Sequence, residues 1–208
     1  VSKLYTPLSS DVILESGFFA RTFPVVSGSN QKSIEIPQDL VKITNEFSTL
    51  FGNAGYCYNF TAIHQNVLPK VPESGMTLGD ILDTDVDESY YIKAEDMPKW
   101  EYMKGSKSEM RKTREGFEYN YTEGAIPFPE YLDRPSRTML TSESTKNRST
   151  HVILDPQTNR LRLLTPRECE KLDGFEPDWT DTGMPLRMRY FCMGNALVVG
   201  LIEKMGKS

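Results

Sequence analysis

The side chains of this sequence best suited to chemistry are basic residues in its middle. Between Lys99 and Arg114, six lysines and arginines stand against two glutamates. Such cations bind phosphates, and an arginine can donate two parallel hydrogen bonds to O6 and N7 of guanine. A second basic stretch runs from Arg134 to Arg148, and both follow an acidic stretch that ends near Pro98. Although the net charge is −5, this segregation of charge predicts a nucleic-acid-facing edge.

The cysteines predict neither a metal site nor a disulfide framework. Cys57, Cys169 and Cys192 are far apart, odd in number and without metal-ligand spacing. Reduced thiols in a cytoplasmic protein are the simplest interpretation. The sequence also has no apolar run long enough for a bilayer and no basic-then-apolar leader, so we expect no membrane partner. The chain begins with Val1, which is compatible with a fragment or a processed product.

Short elements are predicted to carry these residues, in an α+β arrangement. Before residue 155, four strands, two helices, a short capped helix and a loop are expected. The helices are predicted from Pro37 to Leu50 and from Asp96 onward, with a short helix at Thr77–Leu82 in which Thr77 is the cap and Asp80 reaches back to it. The strands are predicted at Tyr56–Ile63, Gly116–Tyr121, Thr138–Ser142 and Thr150–Leu154, and a loop at Gly105–Arg114, which lacks an apolar period.

Two segments near the C-terminus have the most specific patterns. Leu161–Leu164 reads as a strand, and Thr165-Pro166-Arg167-Glu168 is a complete capping box with proline at the first helical position. Further on, Met193-Gly194-Asn195-Ala196 opens an apolar run with helical spacing that ends at Gly206. Asn195 is predicted to be the N-cap of this helix.

Together these two segments resemble the ninth and tenth sequence motifs of DNA (cytosine-5) methyltransferases, in the family's order. Arg162 to Phe175 is similar to the family's Arg-x-Leu-Thr-x-Arg-Glu pattern followed by Gly-Phe-Pro, with Glu176 in place of the proline. Gly194-Asn195-Ala196 is similar to its Gly-Asn-Ser pattern, with alanine in place of serine. Within the family, the sequence most resembles bacterial enzymes of the restriction-modification or Dcm type.

The resemblance implies a small mixed target-recognition domain plus C-terminal helices that complete a Rossmann-like methyltransferase domain supplied elsewhere. It divides the chain into a connector (1–52), a target-recognition region (53–150) and a segment with the ninth and tenth motifs (151–208). It also implies S-adenosylmethionine as cofactor, shared with an N-terminal catalytic half or subunit, and contacts to it from Asn195 and Ala196. The expected function is methyl transfer to a flipped cytosine in a specific duplex site.

The family's catalytic groups are absent from this sequence. No cysteine follows a proline, and neither Glu-Asn-Val nor Gln-x-Arg-x-Arg occurs. We therefore predict no catalytic residue and no metal ligand here, and a chain that is inactive by itself.

Contacts to double-stranded DNA are expected from the two basic stretches and from a segment similar to the family's Arg-Pro-x-x-Thr. Arg111, Lys112 and Arg114 are candidates for bases, and Lys104 and Lys107 for phosphates. Arg134 and Arg137 are further candidates for contacts to DNA. The remaining candidates are expected near the sugar-phosphate chain at the flipped cytosine: Thr141, Ser142, Asn147 and Arg148.

Two other functions fit the same residues. One is a non-catalytic, sequence-specific DNA-binding module that marks or competes for sites. The other is a relative of RNA cytosine methyltransferases, which is disfavoured because the companion motifs of that family are also absent.

Overall fold

The chain is built from short antiparallel strands and short helices, and its last three elements are helices. The computed structural model describes residues 9–39, 41–42, 50–70 and 75–208. They belong to two units, one formed by residues 1–73 with 203–208 and the other by residues 74–202. This mixture of helix and strand is the α+β composition that the sequence predicts.

The first unit contains antiparallel strand pairs beside two short helical segments. Its described elements are the π-helical turn Val12–Ser16, α1 (Phe18–Thr22), β1 (Val25–Ser27), β2 (Lys32–Glu35), β3 (Ala54–Tyr58), β4 (Thr61–Gln65) and β5 (Val67–Pro69). β1 pairs with β5, and β4 lies between β2 and β3. A small core of Ile13, Ile63 and Val67 holds the unit together.

The predicted strand Tyr56–Ile63 is in fact a hairpin of β3 and β4. Asn59 and Phe60 form its turn with φ values of 46° and 61°. Two successive left-handed residues give the turn a twist that matches the flanking strands. The helix predicted from Pro37 to Leu50 lies mostly outside the described residues.

The second unit carries the two motif segments. Its described elements are the 3₁₀ turns Gly79–Ile81, Glu88–Tyr90 and Ala94–Asp96, the helices α2 (Met97–Lys104), α3 (Pro166–Leu172) and α4 (Leu186–Asn195), and the strands β6 (Lys107–Lys112), β7 (Glu118–Glu123), β8 (Val152–Leu154) and β9 (Leu161–Leu163). β6 pairs with β7, and β8 with β9, each antiparallel. α5 (Val199–Lys207) follows α4.

One apolar core joins segments that the sequence interpretation placed in different regions. Its buried members are Leu78, Ile81, Met139, Ile153, Leu164, Cys169, Tyr190 and Met193. Residues before and after position 150 therefore contribute to one core. Cys169 is fully buried, as expected for a packing residue, and burial raises the pKa of its thiol.

A buried ionic network fixes the start of α3. Thr165 and Glu168 form the predicted capping box, each bonding the other's backbone N–H. Glu168 also receives two hydrogen bonds from Arg162, at 2.8 and 2.7 Å, and Arg162 Nε donates to Asp155 at 3.0 Å. Arg162 and Glu168 have no exposed surface. Asp80 reaches back as predicted and accepts from the Thr77 backbone N–H at 2.8 Å, but the N-cap of the turn Gly79–Ile81 is Leu78 rather than Thr77.

Three local predictions are wrong. Thr138–Ser142 is not a strand, because Glu143 N–H bonds the carbonyl of Leu140 and closes a turn. Gly105–Arg114 is not a loop, since most of it forms β6. Asn195 is not an N-cap, because it ends α4 and its Nδ2 donates to the Phe191 carbonyl at 3.0 Å.

Within the described ranges, every helix falls short of the length and apolar character that a bilayer span needs.

Candidate nucleic-acid interface

The β6–β7 hairpin exposes almost its entire length. The strands pair from Lys107 opposite Glu123 to Lys112 opposite Glu118. Every residue from Ser108 to Asn120 is exposed. At about 3.4 Å per residue, six paired residues make a ribbon roughly 20 Å long. A two-stranded hairpin that buries so little surface is only marginally stable by itself. Packing in a core therefore does not explain which residues the hairpin carries.

Arg148 holds the root of this hairpin. Its Nη1 donates to the carbonyls of Met103 and Gly105, both at 2.9 Å, and its Nη2 donates to the carbonyl of Gly124. Nη1 also lies 3.6 Å from a carboxylate oxygen of Glu123. These partners flank both strands of the hairpin. Arg148 is therefore a structural clamp, and its contact to the sugar-phosphate chain stays a prediction.

One face of the hairpin, here called the inner face, leans on α2. It consists of Lys107, Glu109, Arg111, Tyr119, Tyr121 and Glu123, because directly opposed residues share a face. Lys107 Nζ lies 4.3 Å from the ring centroid of Tyr102 in α2, and the Tyr102 hydroxyl donates to Glu109 at 3.3 Å. The Arg111 guanidinium lies 3.6 Å from the ring centroid of Tyr121 and donates to Glu109 at 3.4 Å. Arg111 is thus held on the side that faces the unit.

The opposite, outer face points away from α2. It consists of Ser108, Met110, Lys112, Glu118, Asn120 and Thr122. The Ser108 hydroxyl donates to Asn120 Oδ1 at 3.1 Å, and Lys112 Nζ lies 2.8 Å from Glu118. Met110 is 67% exposed. For the part of the chain that is described, hydrogen bonds and ion pairs of these side chains stay within the hairpin. This face is therefore open to a partner.

Arg114 sits in the turn at the tip. The Thr113 N–H donates to the Phe117 carbonyl at 2.9 Å, and the Gly116 N–H donates to the Thr113 carbonyl at 3.0 Å. Gly116 has a φ of +87°, which favours glycine. Arg114 is exposed, and among the described residues it has no hydrogen-bond or ion-pair partner. Its guanidinium is available to a ligand.

Other predicted DNA contacts are occupied inside the unit. Lys104 is 2% exposed, its ammonium donates to the Thr150 carbonyl, and burial lowers its pKa to about 8. Arg137 forms a two-pronged pair with the buried carboxylate of Glu130. Asn147 donates to carbonyls of its own turn. Each of these three groups is bonded within the fold, and their contacts to DNA stay predictions.

The second basic stretch leaves few free groups. Arg134 is exposed, lies 4.1 Å from the ring centroid of Tyr131 and donates to Asp133 at 3.0 Å. Thr141 and Ser142 are half-buried in the turn that replaces the predicted strand. The exposed cations of the predicted set are therefore Lys112 and Arg114 at the tip of the hairpin, Arg111 on its inner face, and Arg134.

The predicted cofactor contacts lie between α4 and α5. Asn195 is exposed and Ala196 is half-buried. The residues that follow are apolar and exposed: Leu197 69%, Val198 38%, Val199 38%, Leu201 46% and Ile202 45%. Immediately before them, Gly194 packs so closely on the backbone that a Cβ would lie 2.5 Å from Thr141 Cα. The sequence interpretation did not assign this packing role to the glycine.

The chain belongs to the family of C-5 cytosine-specific DNA methylases, whose model matches residues 26–208. This match confirms the resemblance that the two C-terminal motifs predict.

Among named relatives, the chain is similar to the Type II methyltransferase M.Sau3AI of Staphylococcus aureus. The two are 41% identical over 198 residues, which is 94% of this chain and 47% of that protein. The Type II methyltransferase M.DsaV of Dactylococcopsis salina is 30% identical over 51% of this chain and 27% of its own length. Among solved structures, the S. pombe Dnmt2 methyltransferase superposes with a TM-score of 0.45 at 14% identity, over 71% of this chain and 49% of that one. The chain spans about half or less of the relatives it matches.

Proposed function

We propose that this chain is the DNA-recognition and cofactor-pocket-completing portion of a DNA (cytosine-5) methyltransferase. The enzyme would transfer a methyl group from S-adenosylmethionine to a flipped cytosine in a specific duplex site. The observation that carries the proposal is the exposed hairpin Ser108–Asn120 in a chain of a DNA methylase family. The major groove of B-DNA is about 12 Å wide and admits a two-stranded ribbon of this kind.

The exposed cations of the hairpin suit sequence readout. Arg114 at the tip has the bidentate donors that match O6 and N7 of guanine. Lys112, beside it on the outer face, supplies a second cation, and Arg111 supports the ribbon from the inner face. Arg134, Lys107, Thr141 and Ser142 are proposed to approach the sugar-phosphate chain, where contacts fix orientation rather than sequence.

The surface around Asn195 fits one edge of a cofactor pocket. The Asn195 amide uses an N–H for the Phe191 carbonyl, which leaves its oxygen as an acceptor, and the small side chain of Ala196 allows close approach. S-adenosylmethionine supplies a methyl group on an electrophilic sulfur when it is bound. In this proposal Asn195 and Ala196 bind and orient the cofactor, and no residue of the described chain takes part in bond making.

A catalytic portion is proposed to cover the exposed apolar run from Leu197 to Ile202. Apolar residues at five of these six positions are accessible, and burying them would favour association by the hydrophobic effect. The same portion would supply the thiolate nucleophile, because no cysteine of this chain follows a proline as the family's nucleophile does. Cys169 is in addition inaccessible, and burial raises its pKa. Cytosine C5 chemistry requires the base to leave the stack, so DNA held by the hairpin would present a flipped nucleotide to that portion.

The test is complementation with a relative. The part of M.Sau3AI outside the region aligned with this chain is mixed with this chain, labelled S-adenosylmethionine and duplex DNA. That part mixed with its own aligned region is the positive control, and Leu201→Asp in this chain is the interface control. We expect methyl transfer by the mixture, none by either part alone, and loss of transfer with the variant.

Two results would change the conclusion. Absence of transfer from the stoichiometric mixture, while the positive control is active, would contradict the proposed completion of a methyltransferase. If this chain still binds one duplex sequence selectively, the non-catalytic DNA-binding module becomes the better description.

A further inference from the structure

We infer that Asn120, oriented by Ser108 and flanked by Met110, reads an A·T base pair in the recognition site. This inference rests on the proposed function, because it requires that the hairpin enter the major groove. It assigns a role in base recognition to three residues that neither the charge pattern nor the motifs of the sequence single out.

A hydrogen bond from Ser108 fixes the orientation of the Asn120 side-chain amide. The Ser108 hydroxyl donates to Asn120 Oδ1 at 3.1 Å. A carbonyl oxygen has two lone pairs, so Oδ1 can accept a second hydrogen bond, and Nδ2 has two N–H groups. Asn120 is exposed, and its Nδ2 has no partner among the residues that the structure describes. The pair of free sites matches adenine, whose N6–H donates to the amide oxygen and whose N7 accepts from the amide nitrogen.

Met110 supplies the apolar half of the same edge. It lies directly opposite Asn120 in the β6–β7 register and is 67% exposed. Directly opposed side chains have Cβ atoms about 4.5–5.5 Å apart, so both reach one neighbourhood in the groove. An A·T pair presents there the adenine N6 and N7 together with the thymine methyl group. An amide beside an exposed apolar side chain is complementary to this combination, whereas guanine presents two acceptors in the groove and a G·C pair has no methyl group.

The outer face is the better candidate for readout than the inner face. On the inner face, Lys107, Glu109 and Arg111 contact Tyr102, Tyr121 or one another. The outer-face pairs Ser108–Asn120 and Lys112–Glu118 stay within the hairpin. A duplex can therefore approach the outer face without breaking the contacts that join the hairpin to α2.

The first experiment selects duplexes from a random pool with this chain and with variants. The wild type is expected to enrich a motif that contains an A·T pair, and Asn120→Ala to lose the preference at that pair alone, by about 5- to 100-fold. Ser108→Ala is expected to lower the same preference by a smaller factor, since Ser108 is a positioning residue, and Ser108→Thr to retain it. Arg111→Ala is the control, with affinity reduced equally for all sequences.

The second experiment removes one methyl group from the DNA. Deoxyuridine replaces the thymidine of the selected A·T pair, and binding is compared for the wild type and Met110→Ala. We expect a loss of roughly four-fold for the wild type, from one buried methyl group, and no further loss for the variant. Because all three residues are exposed, the substitutions leave the core intact, which circular dichroism verifies.

The outcomes separate this inference from the proposal beneath it. If the wild type enriches a motif but Asn120→Ala enriches the same motif, the readout by Asn120 is refuted while the recognition role of the chain stands. An equal loss of affinity on all sequences with Asn120→Ala would make it a backbone contact and also refute the inference. A wild type that enriches no motif overturns both.

Discussion

Replacement of Arg162 by methionine tests whether the buried ionic network holds the ninth-motif segment in place. The Arg162 guanidinium donates to Asp155 at 3.0 Å and to both oxygens of Glu168 at 2.8 and 2.7 Å, with no exposed surface. Methionine fills most of the same volume but donates no hydrogen bond. Two carboxylates would then remain in the core without their cation.

The structure sets the expected size of the effect. Removal of one partner from a buried ion pair costs about 3–5 kcal/mol, because the remaining charge is desolvated and unpaired. Against a typical stability of roughly 5–15 kcal/mol, this is a large fraction. With a urea dependence of about 2–3 kcal/mol per M, the unfolding midpoint should fall by about 1–2.5 M.

Arg160, two residues away, is the matched control. It also forms a two-pronged pair, with Glu88, but the two side chains are 48% and 74% exposed. Exposed pairs contribute about 0–1 kcal/mol, so Arg160→Met should shift the midpoint by less than about 0.5 M. Glu168→Gln in the Arg162→Met background should recover part of the loss. Equal shifts for the two arginine variants would refute the reasoning that burial of the charges determines the cost.

Three further predictions concern the fold that supports the site. Gly194→Ala would place a Cβ 2.5 Å from the Thr141 Cα and should lower the free energy of unfolding in urea by about 1–3 kcal/mol or more. Gly200→Ala has open space around it and should leave this free energy unchanged. Equal stability of the two variants would contradict the close contact at Gly194. Burial raises the pKa of Asp173 to about 6, above its ordinary 3.8, so its contribution to stability is complete below about pH 4 and is lost as pH rises through 6. Asp173→Asn should therefore be more stable than the wild type by roughly 1–3 kcal/mol at pH 8 and by little at pH 4. A gain of the same size at both pH values would argue against burial as the cause. Arg148→Met should accelerate amide hydrogen exchange across residues 107–123 and leave exchange in the core unchanged, while acceleration throughout would show that the clamp stabilises the whole unit.

Local patterns in the sequence determined the elements whose signals are complete within a few residues. The capping box Thr165–Glu168 satisfies backbone groups of its own first turn, so no distant residue is needed to recognise it. The same holds for the hydrogen bond from the Thr77 backbone N–H to Asp80 and for the helix that opens after Asp96. The two motifs from Arg162 to Phe175 and from Gly194 to Ala196 were sufficient to predict the methylase family.

Other features depend on partners that are far away in sequence. β6 lacks an apolar alternation because neither of its faces is buried, so only its pairing with β7 makes it a strand. Met139 and Ile153 join one core across the expected boundary at residue 150, because burial depends on contacts rather than on chain order.

The roles of the basic residues were decided by tertiary structure alone. Arg114, Arg137 and Arg148 are the same residue type, and all three were predicted to contact DNA. Arg137 faces the buried carboxylate of Glu130 and Arg148 faces carbonyls at the hairpin root, whereas Arg114 faces solvent. A guanidinium can satisfy its donors inside the protein or on a ligand, and the choice depends on which acceptors the folded chain brings within hydrogen-bond distance.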